Sequence, residues 1–282
     1  MQCAWDALLT ILPCRLRAAV DRQSRNDLQE IRLRLGQPPE LVTGHGIFWL
    51  QDTITSADIQ FCINSASKYS PWSTETAQNG YIAAAGGHRI GICGQVVTDG
   101  NHVTGIRSPS ALCIRVARDF QGISADIPVL NRSILILGPP GSGKTTLLRD
   151  IIRKYANTGS MHISVIDERG ELFPVINGKS CFETGKKTDI MSGCKKAFGI
   201  ETVLRCMGPS VIAVDEITAI EDCEGLLQTG WCGVKLFATA HANNKRDLYS
   251  RPIYKPLVET KLFDTMITLN RDKSWYLERM DK

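Results

Sequence analysis

The chain has 282 residues, 43% of them hydrophobic, with 33 Lys and Arg against 29 Asp and Glu, a balance that excludes a disordered or collagen-like polymer and suits about two compact domains. Basic and acidic residues number 12 against 11 in residues 1–132 and 21 against 18 in the remainder, so neither half carries a basic tail and no nucleic-acid partner is expected. No apolar run approaches the roughly 20 residues of a membrane span, and the start, MQCAWDALLTILPCRLRAAVD, lacks a signal peptide's leading charges and cleavage site. The protein is therefore expected in the cytoplasm, without a transmembrane segment of its own.

Apolar spacing in residues 5–20 predicts a helix interrupted at Pro13. Arg15, Arg17, Arg22 and Arg25 cluster there and read as a solvated helix face. Glu30 to Leu35 alternates as a half-buried strand with Ile31, Leu33 and Leu35 inward, and Glu40 to Thr43 returns beside it. Ser56 to Lys68 reads as a helix capped by Ser56. Seven glycines between Gly80 and Gly105 sit among β-prone runs, with Thr98-Asp99-Gly100-Asn101 as a hairpin turn and His88 as a structural histidine. The ten cysteines contain no C-x-x-C pair, which argues against zinc and for small buried thiols in a reducing compartment.

These features predict an N-terminal α+β domain over 1–117. A polar segment with Gly122 and Pro128 reads as a linker over 118–131, and a second domain over 132–282 opens with the apolar strand Ile134 to Leu137. The overall class is α/β, with a mainly parallel sheet in the second domain.

Immediately after that strand comes Gly138-Pro139-Pro140-Gly141-Ser142-Gly143-Lys144-Thr145, a complete G-x-x-x-x-G-K-[ST], followed by the helical pattern TTLLRDIIRKYA. A glycine-rich loop ending at a helix N-terminus cradles phosphate with free N–H groups and the positive end of the helix dipole. Lys144 is then expected on the β- and γ-phosphates, Thr145 on Mg²⁺, and Thr146 near the α-phosphate of bound ATP. Val211 to Val214 runs into Asp215-Glu216, a strand-end pair suited to place Asp215 on the metal and Glu216 on the attacking water. His162 to Ile166 runs into Asp167-Glu168-Arg169-Gly170-Glu171, a second acidic strand end at the same sheet edge, and His241 follows the strand Lys235 to Thr239. Phe263 to Leu269 and Trp275 to Met280 form a closing hairpin around Asp272-Lys273. Trp5, Trp49, Trp72, Trp231 and Trp275 are scattered, so no base-stacking platform is visible.

Taken together, these motifs resemble the secretion or traffic ATPases of type II and type IV systems, with phosphate loop, acidic box, Walker B strand and histidine box in that order. IRLRLGQPPEL, GHRIGICGQVV, SALCIRVAR, ILILGPPGSGKTTLLRDIIR, VIDERGEL and VIAVDEI more closely resemble the stage III sporulation protein AA family of endospore-forming bacteria. The resemblance implies a RecA-like ATPase domain and a homo-oligomeric ring, as a hexamer. It also implies arginine residues completing a nucleotide site between domains, with Arg115 and Arg205 as candidates and Arg32 and Arg34 behind them. It further implies peripheral docking on membrane-embedded sporulation channel proteins, on the mother-cell side, to energise a transenvelope channel. Asp167-Glu168-Arg169 stands where the secretion ATPases usually carry Glu-Asp-Pro, so either Glu168 or Glu216 is left to activate water. A nucleic-acid-stimulated RecA-like ATPase and a nucleotide-gated adaptor with little turnover remain as alternative readings.

Overall fold

The computed structural model describes residues 3–23, 25–67, 80–100, 102–158, 161–176 and 178–280, which fall in two compact units divided between Asp119 and Phe120. Lys68, Trp72 and Asn101 lie outside the described residues.

In the first unit, helices α1 (Trp5–Ile11) and α2 (Cys14–Asp21) meet at Pro13, and Leu12 before it is extended, as the residue preceding a proline must be. Strands β1 (Leu28–Arg34), β2 (Glu40–Thr43), β3 (Gly46–Trp49), β4 (Tyr81–Ala83), β5 (Arg89–Asp99) and β6 (His102–Arg115) form an antiparallel sheet in the order β3-β2-β1-β6-β5-β4. Ile31 and Leu33 are buried against Leu8, Leu12 and Ile63, the last from α3 (Ser56–Ala66). Leu35, expected inward, is 49% exposed: β1 ends at Arg34, and Gly36 at φ +75° turns the chain away. Thr55, not Ser56, caps α3. Its hydroxyl accepts from the Asp58 N–H at 3.3 Å while the Asp58 carboxylate accepts from the Thr55 N–H at 2.8 Å, and the acid three residues on selects Thr55 as the cap.

β5 and β6 run as a long ribbon with irregular pairing at Cys93/Gln95 and Val97/Thr98. A Cβ on Gly94 would stand 2.8 Å from the Ile106 side chain and 2.9 Å from the Pro109 Cα, so the strand bends where only glycine fits. The basic cluster near α2 is locally satisfied. Arg15 pairs with Asp58, Arg17 with the Leu12 carbonyl, Arg22 with the Ala18 carbonyl and Arg25 with Asp21.

In the second unit, β7 (Ile134–Leu137), β8 (Ile163–Asp167), β11 (Thr188–Ser192), β12 (Val211–Val214), β13 (Lys235–Ala240), β14 (Thr265–Leu269) and β15 (Trp275–Arg279) form a sheet in the order β11-β8-β12-β13-β7-β14-β15. All pairings are parallel except the terminal β14–β15 hairpin. A short ribbon, β9 (Val175–Ile176) with β10 (Lys179–Ser180), stands apart from this sheet. Helix α4 (Lys144–Thr158) buries Leu147, Leu148, Ile151, Ile152 and Tyr155. Tyr155 meets Phe237 of β13 edge-on at 4.9 Å between centroids, a geometry that adds about 0.5–1.5 kcal/mol beyond area burial. Further helices are α5 (Lys196–Cys206), α6 (Ile220–Trp231), α7 (Lys245–Ser250) and α8 (Lys255–Glu259).

Residues 120–131, read from composition as part of a linker, belong to the second unit. Asp150 accepts from the N–H groups of Gly122 and Ser124, at 3.0 and 2.8 Å. Lys154 donates to the carbonyls of Ser124, Ala125 and Ile127, and the Tyr155 hydroxyl accepts from the Leu130 N–H at 2.7 Å. The polar residues that suggested exposure thus pair with a polar stripe along α4. The cysteines are less buried than expected. All ten are free, yet only Cys62 and Cys223 are fully enclosed, where burial pushes their thiols up to about 12 and about 11.

His88 is 1% exposed and holds two distant chain segments. Its Nδ1 accepts from the Ala117 N–H at 3.0 Å, which leaves Nε2–H to donate to the Ala4 carbonyl at 3.0 Å. Burial lowers its pKa below the ordinary 6.5, so the unfolded chain binds a proton that the folded chain refuses. The neutral form's contribution is complete above pH 6.5 and is lost progressively as pH falls from there toward the depressed folded value. Thermal melting should therefore show a stability decline below pH 6.5 that is shallower in His88→Gln, although that variant starts from a lower midpoint. Parallel pH profiles for the two proteins would contradict this role.

Candidate functional site

Parallel pairing places the ends of β7, β8, β12 and β13 on one sheet edge: Leu137 lies opposite Ala240, Ala238 opposite Val214, and Val214 opposite Ile166. Loops leaving this edge carry the sequence-predicted site.

The loop 138–143 lies between β7 and α4. A Cβ on Gly138 would fall 2.5 Å from the Ser142 hydroxyl and 2.6 Å from the Leu269 carbonyl oxygen, so the loop's first turn needs a residue without a side chain. The Ser142 hydroxyl is buried without a hydrogen-bond partner, an orphan polar atom inside the loop. Lys144 is 6% exposed, and its ammonium donates to the carbonyls of Gly138 at 2.9 Å and Pro139 at 3.1 Å and to His241 Nδ1 at 2.9 Å. Burial lowers the Lys144 pKa, against the upward pull of the Glu216 and Asp215 carboxylates.

Thr145, in the first turn of α4, donates its hydroxyl to Asp215 Oδ2 at 2.9 Å. Asp215 Oδ1 accepts from the Thr239 hydroxyl at 2.8 Å and from the Glu216 N–H at 3.0 Å, and that N–H also reaches the Thr239 oxygen at 2.8 Å. These bonds hold Glu216 at φ +33°, a left-handed conformation that a non-glycine residue keeps only when its surroundings over-determine it. Its carboxylate meets His241 Nε2 at 2.9 Å and stands 4.0 Å from the Arg169 guanidinium. Because Lys144 donates to Nδ1, the neutral ring carries its proton on Nε2 and donates it to Glu216, forming a continuous Lys144–His241–Glu216 chain.

The acidic loop after β8 divides its labour. Asp167 is 1% exposed and accepts from the N–H groups of Glu171 at 2.9 Å and Phe173 at 2.8 Å, so it shapes the loop; burial raises its pKa in spite of those bonds. Glu168 pairs with the buried Lys196 at 2.5 Å, and Lys196 reaches Asp222 at 3.4 Å. Asp222 in turn accepts from the N–H groups of Thr218 and Ala219, which ties the acidic loop to the segment leaving Glu216.

Lys144, Thr145, Asp215, Glu216 and His241 are thus joined in one hydrogen-bonded network, and Glu168 lines the same cleft as Asp215 and Glu216. Arg205 is not brought to them: it pairs with Glu201 at 3.3 Å, roughly 14 Å along α5 from Lys196. Arg115 belongs to the first unit, where it lies 3.6 Å from Glu30; Arg32 pairs with Glu30 and Arg34 with Glu40. Sequence reasoning missed Thr239, Lys196, Tyr254 and Lys273. The Tyr254 hydroxyl accepts from the His241 N–H at 3.2 Å and reaches the Ile217 carbonyl at 3.4 Å, and Lys273 donates to the Gly141 carbonyl at 2.7 Å. The Thr before Ala240-His241 on an apolar strand was the one available signal.

The family described as Sporulation stage III, protein AA matches residues 4–276. Stage III sporulation protein AA of Bacillus subtilis (strain 168) is 34% identical over 265 residues, covering 90% of this chain and 86% of that protein. SEEDLING PLASTID DEVELOPMENT 1 of Arabidopsis thaliana is 25% identical over 263 residues, 90% of this chain but 36% of that protein. Among solved structures, the pilus retraction motor PilT with bound ADP has a TM-score of 0.64 at 19% identity, over 95% of this chain and 82% of that one. The Legionella pneumophila ATPase DotB has a TM-score of 0.59 at 16% identity, over 90% and 78%. Both share the fold.

Gly138→Ala tests the loop directly. The added methyl meets the backbone oxygen of Leu269, which cannot move without shifting β14, so the substitution should destabilise the protein by about 1–3 kcal/mol and distort the loop. Thermal melting checks this, and an unchanged midpoint would contradict the close approach.

Proposed function

The chain belongs to the sporulation stage III, protein AA family, and from that premise we propose that it is an oligomeric, Mg²⁺-dependent ATPase working as a secretion-type motor. The observation that carries the reading is the pairing of two hydrogen-bonded units at one sheet edge: Thr145 with Asp215, and Lys144 with His241 and Glu216. The donor set fits both a cation and a polyphosphate. A hydroxyl and a carboxylate 2.9 Å apart suit a hard cation, and an orphan Ser142 hydroxyl inside a glycine loop suits phosphate oxygens. Thr145 and Asp215 would hold Mg²⁺, which when bound would supply charge neutralisation on the polyphosphate.

Residues 138–146 bind the polyphosphate of ATP, with Lys144 leaving the Gly138 and Pro139 carbonyls to reach it. Glu216 orients and accepts a proton from the attacking water, and His241, bonded to both Lys144 and Glu216, couples phosphate occupancy to the carboxylate. Glu168 is the weaker candidate for that proton because the buried Lys196 neutralises it. An arginine from a neighbouring copy completes the site, with Arg115 and Arg205 as the candidates, each an exposed side chain beside an acid of its own unit, Glu30 and Glu201. By family, the motor energises a channel between mother cell and forespore, docked peripherally on membrane-embedded sporulation proteins. No described helix is long and apolar enough to cross a membrane.

Phosphate release with ATP and Mg²⁺ tests the assignment. Lys144→Ala should lose turnover together with nucleotide binding. Glu216→Gln should bind ATP and turn over about 10²–10⁴-fold more slowly, while Glu168→Gln loses far less. A parental rate in Lys144→Ala would overturn the reading, and stimulation by single-stranded nucleic acid would favour a nucleic-acid motor instead.

A further inference from the structure

The carboxyl end of β14 lies beside the phosphate loop, because β14 pairs in parallel with β7 and sets Thr268 opposite Leu137. The hairpin that continues from it touches the loop along its length. The Leu269 carbonyl abuts Gly138, a Leu269 methyl lies 3.8 Å from where a Gly143 Cβ would stand, and the Lys273 ammonium lies 4.0 Å from that same point. Lys273 also donates to the Gly141 carbonyl at 2.7 Å, although it belongs to none of the nucleotide motifs.

We propose that Lys273 is a polyphosphate-binding residue of the nucleotide site, delivered by the C-terminal hairpin to the mouth of the phosphate loop. The inference rests on the nucleotide reading above and adds a residue to it. Its placement is built rather than incidental. Lys273 adopts φ +72°, a conformation unfavourable for a side-chain-bearing residue, and a network of turn bonds holds it there. The Asn270 N–H donates to the Ser274 carbonyl at 2.9 Å, the Lys273 N–H to the Asn270 carbonyl at 3.2 Å, and the Ser274 N–H to Asp272 at 3.0 Å.

Electrostatics explains why a second cation is useful there. Lys144 faces the Asp215 and Glu216 carboxylates, whose charges offset its own toward an incoming anion. Among the described residues, the Lys273 ammonium is held by a neutral carbonyl rather than by a carboxylate, so no ion pair offsets its charge toward a bound polyphosphate.

The test is equilibrium titration of the full chain with ADP and with ATP, in Mg²⁺ at fixed ionic strength, for the parent, Lys273→Met and Lys273→Arg. Lys273→Met should weaken both nucleotides about 5–20-fold, ATP at least as much as ADP, while Lys273→Arg stays within about twofold of the parent. The nucleotide-free melting point should be the same in all three, because the residue is exposed. ADP binding by Lys273→Met within about twofold of a parent that itself binds would overturn the inference and leave the nucleotide reading standing. Equal weakening in Lys273→Arg, with a lowered melting point, would overturn it too, since shape rather than charge would then be responsible. A parent that binds neither nucleotide overturns the reading on which the inference rests.

Discussion

The contact between the Thr145 hydroxyl and the Asp215 carboxylate exists because β13 lies between β7 and β12 in a parallel sheet. Parallel pairing sends the phosphate loop, the acidic loop, the Walker B loop and the His241 loop off the same edge. Those strands are buried and apolar along most of their length, so burial sets their register, and apart from Ser164 their polar residues collect near the strand ends. Each functional side chain is then held by bonds from another strand end: Asp215 by Thr239, His241 by Lys144 and Glu216, and the 218–219 segment by Asp222.

That convergence has a local cost, seen at Glu216. A left-handed φ at a glutamate is unfavourable by roughly 1–3 kcal/mol, and the hydrogen bonds its N–H donates to Asp215 and Thr239 offset it. The geometry fixes the Glu216 carboxylate against His241 rather than leaving it in solvent. Glu168 follows the opposite course, since the buried ammonium of Lys196 holds it. Two acidic strand ends that look alike in sequence are therefore different chemically, one neutralised by a salt bridge and one poised beside a histidine and Arg169.

Much of this was legible in the sequence. The G-x-x-x-x-G-K-[ST] between an apolar strand and a helix, the two strands ending in carboxylate pairs and the closing hairpin all stand where pattern places them, because strand burial and helix periodicity are local signals. What was not legible depends on pairing between distant segments. Thr239 and Tyr254 look like ordinary strand and loop residues until the sheet brings them to Asp215 and His241. Lys273 sits 132 residues from Gly141, so only the β14–β7 pairing reveals it. Composition misled at residues 120–131, where Ser124 and the neighbouring backbone groups bond to Asp150 and Lys154 instead of water. At α3 the expected cap, Ser56, gives way to Thr55, because the spacing from Thr55 to Asp58 closes the reciprocal pair of cap bonds.

The central claim is that Thr145 and Asp215 hold one divalent cation together with a nucleotide. Paramagnetic resonance of Mn²⁺, titrated into the protein with and without ADP, reads that shared site directly. The account predicts Mn²⁺ binding that requires ADP in the parent and is weakened at least about tenfold in Asp215→Asn while metal-free ADP binding persists. Equal Mn²⁺ binding in the parent and Asp215→Asn, or binding indifferent to ADP, would contradict it.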